Sequence, residues 1–235
     1  MARLELGVRP AQARGVDDRA QRTLDASCGL AVGDVEAEQE REAGVADGLD
    51  RSLRLESLGR DQQARLVGLA LEQDALPLVL GGDHSVALGT LGGLARARGV
   101  GGVLWIDAHS DMNTPDTSPT GNVHGMPLAA ALGFADARFE GEAWTLPAVE
   151  ASRVALVGLR SVDAQERERI RELGIKAYTM SDIDRIGIER AIRESLSHIA
   201  GPGFVHVSFD MDALDPEVAP GVGTPVRGGL SYREA

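Results

Sequence analysis

The stretch WIDAHSDMN, residues 105–113, ends an apolar run with three ionisable side chains, Asp107, His109 and Asp111. Residues i and i+2 of a strand point to the same face, so Asp107 and His109 are expected to project together. A buried carboxylate without a counter-charge is costly in free energy, and the stretch holds no lysine or arginine. The pattern therefore indicates a cation that comes from outside the chain.

Two further apolar runs end in residues of the same kind. LPLVL (76–80) leads into Asp83 and His84. FVHVSF is followed by three carboxylates: Asp210, Asp212 and Asp215. Ligands of open parallel sheets bind outside the carboxyl ends of the strands, so the three ends are expected to meet at one site. Each pair taken alone is more often a cap or a turn than a metal site, and only their convergence favours a metal.

The donor set is dominated by oxygen, with imidazole in the minority and no thiolate nearby. Such a set favours Mn²⁺ over a structural zinc, and leaves catalytic Zn²⁺ or Fe²⁺ as alternatives. Six ligands, several of them carboxylates able to bridge, favour two ions. Two neighbouring ions can share one water molecule and lower its pKa, which makes hydroxide available near neutral pH.

The elements that must position these residues are short apolar runs that alternate with helical patterns. Strands are predicted at 76–80, 102–106, 152–159, 175–180 and 204–210. Helices are predicted at 49–74, 84–98, 125–133, 163–173 and 181–199. This alternation indicates an α/β fold with a parallel sheet that is covered on both faces. Residues 1–48 are poorly patterned, as a frayed helical cap or a disordered lead-in, and residues 49–235 are expected to form one domain.

Composition excludes several classes of partner. The formal charge of −12, with no basic block, argues against nucleic acid, and no apolar run is long enough to predict a membrane span or a secretion leader. The single cysteine, Cys28, excludes an internal disulfide and favours a reducing, cytoplasmic compartment.

The motifs GGDHS (81–85), DAHSDMN (107–113) and SFDMDALDP (208–216) together resemble the ureohydrolases, the family of arginase and agmatinase. The resemblance covers roughly residues 77 to 235. It implies a three-layer α/β/α sandwich around a mostly parallel sheet. Members of the family continue beyond the GGLSYREA with which this chain ends, through a further strand, helices and a glutamate in an EVNP-type motif. The domain is therefore expected to be incomplete at its C-terminus.

The resemblance also implies a centre of two Mn²⁺ ions. One ion would be held by His84, Asp107, Asp111 and Asp210. The other would be held by His109, Asp107, Asp210 and Asp212. Asp107 and Asp210 would bridge the ions, while Asp83 and Asp215 match positions that are not ligands and are expected to support ligands or form turns.

The loop at 113–129 resembles that of arginase more than that of agmatinase. Arginine carries an α-carboxylate that agmatine lacks, and the loop offers hydroxyl and amide donors without a competing positive charge. The donors implied for this carboxylate are Asn113, Ser118, Thr120 and Asn122. The alternative for such a polar run is an ordinary surface loop.

Four further residues match family positions near the substrate. Asp163 and Glu166 would receive the α-ammonium group, although acids at a helix N-terminus are also favoured by the helix dipole. Thr224 would lie near the guanidinium end, and His124 would shuttle protons to the leaving amine.

The implied reaction is hydrolysis of the L-arginine guanidinium group to L-ornithine and urea by a metal-bridging hydroxide. Asp111 would accept the proton of the nucleophile and pass it toward the departing amine. The alternatives are a related amidinohydrolase (agmatinase, guanidinobutyrase or formiminoglutamase) or a non-catalytic, ureohydrolase-like protein that binds metal. Members of the family form homotrimers or hexamers, and L-arginine is the small-molecule partner expected here.

Overall fold

The computed structural model describes residues 48–134 and 136–235, so the prediction for the N-terminal segment before residue 48 lies outside the described residues. Four parallel strands form one sheet: β1 (Gly101–Ile106), β2 (Val149–Leu159), β3 (Lys176–Thr179) and β4 (Val205–Phe209). Their order across the sheet is β3-β2-β1-β4. The predicted parallel α/β fold is confirmed.

Strand β1 lies between β2 and β4 and is buried over its whole length. Trp105 stands opposite Leu156 of β2 and Ser208 of β4 in the register of the ladder. Val103 and Trp105 belong to the apolar core on one face of the sheet, and alternate residues belong to the core on the other. The carboxyl end of β1 is therefore flanked by two neighbouring strand ends.

In the residues that the structure describes, six α-helices accompany the sheet: α1 (Gly48–Glu72), α2 (Val86–Arg98), α3 (Pro127–Ala131), α4 (Ala164–Glu172), α5 (Met180–Ile186) and α6 (Ile188–Ile199). Side chains of α1 to α4 pack into the core on the Trp105 face, and those of α5 and α6 into the core on the opposite face. Short 3₁₀ turns occur at Val123–Gly125, Ala137–Phe139 and Met211–Ala213. Within the described ranges, no helix is both long and apolar enough to cross a membrane.

The predicted strand at 76–80 is wrong. These residues lie outside the sheet, and Leu76, Leu78 and Leu80 are 86%, 71% and 75% exposed. A strand forms only where a neighbour pairs with its backbone N–H and C=O groups. In the part of the chain that the structure describes, no strand pairs with residues 76–80, because β4 is the last strand at that edge of the sheet.

The single helix predicted at 181–199 is divided into α5 and α6 at Gly187, which has φ 82°. That left-handed conformation ends a helix and suits glycine because it has no Cβ. The helical periodicity continues on both sides of Gly187, so periodicity alone did not predict the break.

Candidate metal centre

Asp107 is the first residue after β1 and is almost completely buried. Its Oδ1 accepts a hydrogen bond from the His109 backbone N–H at 2.7 Å. Its Oδ2 accepts one from Trp105 Nε1 at 3.1 Å and lies 2.8 Å from His84 Nδ1. The imidazole of His84 also stacks on Trp105, with ring centroids 4.0 Å apart. One tryptophan therefore orients two of the predicted ligands.

The first group of ligand atoms contains His84, Asp107 and Asp111, which are all buried. The Nδ1 of His84 lies 3.0 Å from Asp111 Oδ2, and its Nε2 lies 2.7 Å from Ser208 Oγ on β4. A histidine ligand normally uses its second ring nitrogen in this way to fix the orientation of the ring. Asp111 Oδ2 is buried, and apart from the imidazole of His84 no described residue donates a hydrogen bond to it. A cation at this point would satisfy it.

The second group contains Asp107, His109 and Asp212. The Nδ1 of His109 lies 3.0 Å from Asp212 Oδ2 and 3.5 Å from Asp107 Oδ1. Asp212 Oδ1 also accepts the backbone N–H of Ala108 at 3.2 Å, and Asp212 Oδ2 accepts the hydroxyl of Thr224 at 2.9 Å. Asp107 belongs to both groups, so its carboxylate lies where a bridging ligand would lie.

The sixth predicted ligand, Asp210, lies near His84 but outside both groups. Its Oδ2 lies 3.2 Å from His84 Nδ1, while its Oδ1 accepts the backbone N–H of Asp212 at 2.8 Å. Neither group of mutually close ligand atoms includes Asp210. The two supporting acids lie in turns, where Asp83 accepts the N–H of Ser85 and Asp215 accepts three backbone N–H groups. The bridging role of Asp210 stays a prediction.

Two protonated imidazoles supply only part of the positive charge that the four carboxylates of the site require. Burial lowers the pKa of His84, but hydrogen bonds to the surrounding carboxylates outweigh burial and raise it to about 12. Hydrogen bonds to Asp107 and Asp212 raise the pKa of His109 to about 10. Burial, and then the charge of Asp107, raise the pKa of Asp111 to about 8. These shifts describe a set of carboxylates that requires positive charge, and a divalent cation can supply it.

Lysine and arginine do not supply this charge directly. Across residues 48–134 and 136–235, none of them forms an ion pair with the four aspartates of the site. The donors are oxygens with a minority of imidazoles, and the Asp107 carboxylate is shared by the two groups. The residues present therefore fit a centre that holds hard or borderline divalent cations.

Arg160, which sequence reasoning missed, fastens the segment that carries Asp212. Its guanidinium donates six hydrogen bonds to five backbone carbonyls, which belong to Gly158, Asp212, Ala213, Leu214 and Val226. An arginine directly after a strand of the sheet was a possible signal, but carbonyl acceptors cannot be read from sequence. Trp105 and Ser208 were also missed, because their contacts with His84 join residues far apart in the sequence.

The predicted substrate residues fall into a buried part and an exposed part. Asn113 is buried, donates to Asp163 Oδ2 at 3.0 Å and accepts the hydroxyl of Thr117 at 2.9 Å. Ser118 is half-buried, and Thr120 and Asn122 are exposed.

The hydroxyls of this loop are used within the loop itself. Ser118 Oγ accepts the N–H of Gly121 at 3.0 Å, and Thr120 Oγ1 accepts that of Asn122 at 3.2 Å. His124 is half-buried in the 3₁₀ turn that follows.

The two predicted ammonium acceptors, Asp163 and Glu166, lie at the start of α4. Asp163 is exposed, whereas Glu166 is only 4% exposed and accepts three hydrogen bonds from the protein. Thr224 is joined to the metal site through Asp212. The structure thus brings Asn113 and Asp163 together, and it buries Glu166 away from solvent.

Comparison with known proteins agrees with this geometry. A model of the arginase family matches residues 11–235. The arginase of Bacillus subtilis (strain 168) is 48% identical over 177 residues, which is 75% of this chain and 60% of that protein. The chain thus spans about three-fifths of the length of this curated relative.

Solved structures give the same result. The native structure of Bacillus caldovelox arginase at pH 5.6 has a TM-score of 0.76 and 45% identity, and the match covers 82% of this chain and 66% of that one. Entamoeba histolytica arginase in complex with L-ornithine has a TM-score of 0.70 and 35% identity, covering 77% and 62%. With the family model matched over nearly the whole sequence, the chain belongs to the arginase family.

Proposed function

We propose that this chain hydrolyses the guanidinium group of L-arginine to L-ornithine and urea with two bound Mn²⁺ ions. The observation that carries the proposal is the pair of ligand groups that share Asp107, in a chain 48% identical to a curated arginase. The L-ornithine bound in the Entamoeba histolytica relative supports the choice of substrate.

His84, Asp107 and Asp111 would hold one ion, and Asp107, His109 and Asp212 the other, with Asp210 as a further bridging ligand. Bound Mn²⁺ would supply positive charge and lower the pKa of a water molecule at the site. The chain's own contribution begins with orientation, because Trp105 and Ser208 restrain two of the ligands through ring stacking and hydrogen bonds.

Proton movement falls to two side chains. Asp111 would accept the proton of the nucleophile, and its Oδ2 is buried in the first ligand group, 3.0 Å from His84 Nδ1. His124, half-buried in the 3₁₀ turn at 123–125, would carry a proton to the departing amine.

Substrate selection would come from the loop. Asn113, Ser118, Thr120 and Asn122 offer donors to an α-carboxylate, and Asp163 offers an exposed carboxylate to an α-ammonium group. Glu166 would support the same end of the substrate, and Thr224 the guanidinium end. A cytoplasmic location and a role in arginine breakdown or the urea cycle stay part of the proposal.

The test is urea release by the purified chain after incubation with Mn²⁺, with L-arginine and agmatine in parallel. Asp107→Ala should abolish urea release and most of the Mn²⁺ uptake, since one carboxylate serves both groups. Asp83→Asn is the matched control, because Asp83 lies next to His84 but is exposed and only accepts a turn N–H, which asparagine also accepts.

Arginine-selective urea release that depends on Mn²⁺ would establish the proposed activity. Release from agmatine alone would replace L-arginine as the substrate. Two bound Mn²⁺ ions with no urea from either compound would establish a metal-binding protein without turnover.

A further inference from the structure

Glu166 has both carboxylate oxygens engaged inside the protein. Its Oε1 accepts the hydroxyl of Ser110 at 2.8 Å and the backbone N–H of Met112 at 3.0 Å. Its Oε2 accepts the backbone N–H of Asp163 at 2.8 Å, which closes the capping box of α4. With only 4% of the residue exposed, Glu166 connects helix α4 to the turn that follows β1.

That turn contains Asp111, whose two neighbours in sequence are the residues that Glu166 holds. Asp111 has φ 51°, in the left-handed region that residues with a Cβ rarely adopt. Its carboxylate leaves the turn toward His84, 3.0 Å from Nδ1. A backbone conformation of this kind persists only where the surrounding structure fixes it. The hydrogen bonds from Ser110 and Met112, on either side of Asp111, to the carboxylate of Glu166 fix this conformation.

We propose that Glu166 is a positioning residue for Asp111, fixing the turn that presents this carboxylate to the cation in the His84 group. This inference rests on the proposed function, in which that group holds one of two ions. It differs from the substrate contact predicted for Glu166, because a substrate ammonium group would have to share oxygens that already accept three hydrogen bonds.

The proposal makes an asymmetric demand on the two metal sites. Asp111 belongs to the group with His84, whereas the group with His109 and Asp212 does not include it. A more mobile Asp111 should therefore weaken the binding of one ion and leave the binding of the other unchanged. A general loss of stability would weaken Mn²⁺ binding at both sites. The ratio of the two affinities therefore distinguishes a positioning role of Glu166 from a merely structural one.

The experiment is titration of the purified full chain with Mn²⁺ alone, followed by calorimetry and by electron paramagnetic resonance of the bound ions. Glu166→Ala should keep one ion with unchanged affinity and bind the other about tenfold more weakly or worse, in line with the usual cost of losing a group that orients a metal ligand. Its resonance spectrum at one equivalent should match that of a single isolated ion.

Two variants complete the design. Glu166→Gln keeps an amide oxygen that can accept from Ser110 and Met112, so it should restore most of the lost affinity. Ile170→Ala is the matched control, because Ile170 lies one turn further along α4, is buried in the apolar core and does not touch the 110–112 turn through hydrogen bonds. It should lower stability while leaving the ratio of the two affinities unchanged.

Unchanged affinities in Glu166→Ala, or an equal loss at both sites as a structural role would give, would overturn the inference while leaving the proposed function intact. A wild-type chain that binds no Mn²⁺, or only one ion, would overturn the proposed binuclear centre, and the inference with it.

Discussion

The metal ligands and the predicted substrate loop are held in different ways. His84 is fixed by Ser208 on β4, and Asp212 accepts the backbone N–H of Ala108 beyond β1, so each is tied to another element. In the loop, Ser118 and Thr120 make their hydrogen bonds to residues two or three positions away. The metal site is therefore built into the sheet, whereas the loop can change without disturbing it. Metal affinity and substrate selection should be separable by mutation.

The largest expected effect is on the pH dependence of metal uptake. The pKa of about 12 for His84 and about 10 for His109 both lie above pH 7.5, so both imidazoles carry protons in the metal-free chain. Coordination requires neutral imidazole and ionised carboxylate, and the pKa of about 8 leaves Asp111 partly protonated at pH 7.5 as well, so uptake of the two Mn²⁺ ions should release at least two protons. The combined affinity for both ions should then rise with pH, by at least about a hundredfold per unit. Calorimetry in two buffers of different ionisation enthalpy counts the protons, and identical heats in both would contradict this expectation.

A smaller effect is expected from the group that orients His84. Ser208→Ala removes the hydrogen-bond partner of His84 Nε2 and should lower the affinity for one Mn²⁺ ion by about tenfold. Ser197→Ala, at an exposed position on α6, is the control and should leave Mn²⁺ affinity unchanged. If both variants bind Mn²⁺ like the wild type, His84 does not depend on the sheet for its orientation, and the contrast with the loop is lost.

On the loop, Thr120→Ala should raise the KM for L-arginine by about fivefold, the cost of one hydrogen bond to the substrate. Bound Mn²⁺ should stay at two ions per chain, because Thr120 makes no hydrogen bond to a metal ligand among the described residues. Agmatine serves as the control substrate, since it has no α-carboxylate to lose contact with. A parallel loss of metal would show that loop and metal site are not independent.

The smallest effect is expected in the extended segment at 76–80. Leu78 is 71% exposed, so Leu78→Ser should change the free energy of unfolding by less than about 0.5 kcal/mol. Leu156 in β2 is completely buried, and Leu156→Ala should cost about 2–5 kcal/mol. Urea denaturation measures both variants. A cost at Leu78 that approaches the cost at Leu156 would show that the segment is packed as a strand in solution.

The sequence predicted the residues whose relations are local. Asp107, His109 and Asp111 lie within five positions, and an apolar run before them sufficed to predict a buried strand that ends in ligands. The alternation of strands and helices was enough to predict that this end and the end of β4 meet at one site, and the structure shows the two strands as neighbours. Both predictions use periodicity and the geometry of parallel sheets, which the sequence carries directly.

Relations between distant residues were not accessible in this way. The bonds from Arg160 end on backbone carbonyls, which have no sequence signature, and Ser208 pairs with His84 from 124 positions away. The error at 76–80 has the same origin, because whether an apolar run pairs as a strand depends on its neighbours. Glu166 shows a further limit. The family resemblance predicted a substrate contact, whereas in the structure its carboxylate accepts hydrogen bonds from Ser110 and Met112 in the turn after β1.

The sharing of Asp107 between two groups has a consequence for the lifetime of the fold. Together the groups join His84, the turn after β1 and Asp212, which are far apart along the chain. A cation bound by all of them would act as a reversible cross-link, closing loops that the unfolded chain leaves open. At a hundred times its dissociation constant, a ligand stabilises the folded state by about 2.7 kcal/mol. Manganese supply would then govern how long the folded chain survives, and not only how fast it works.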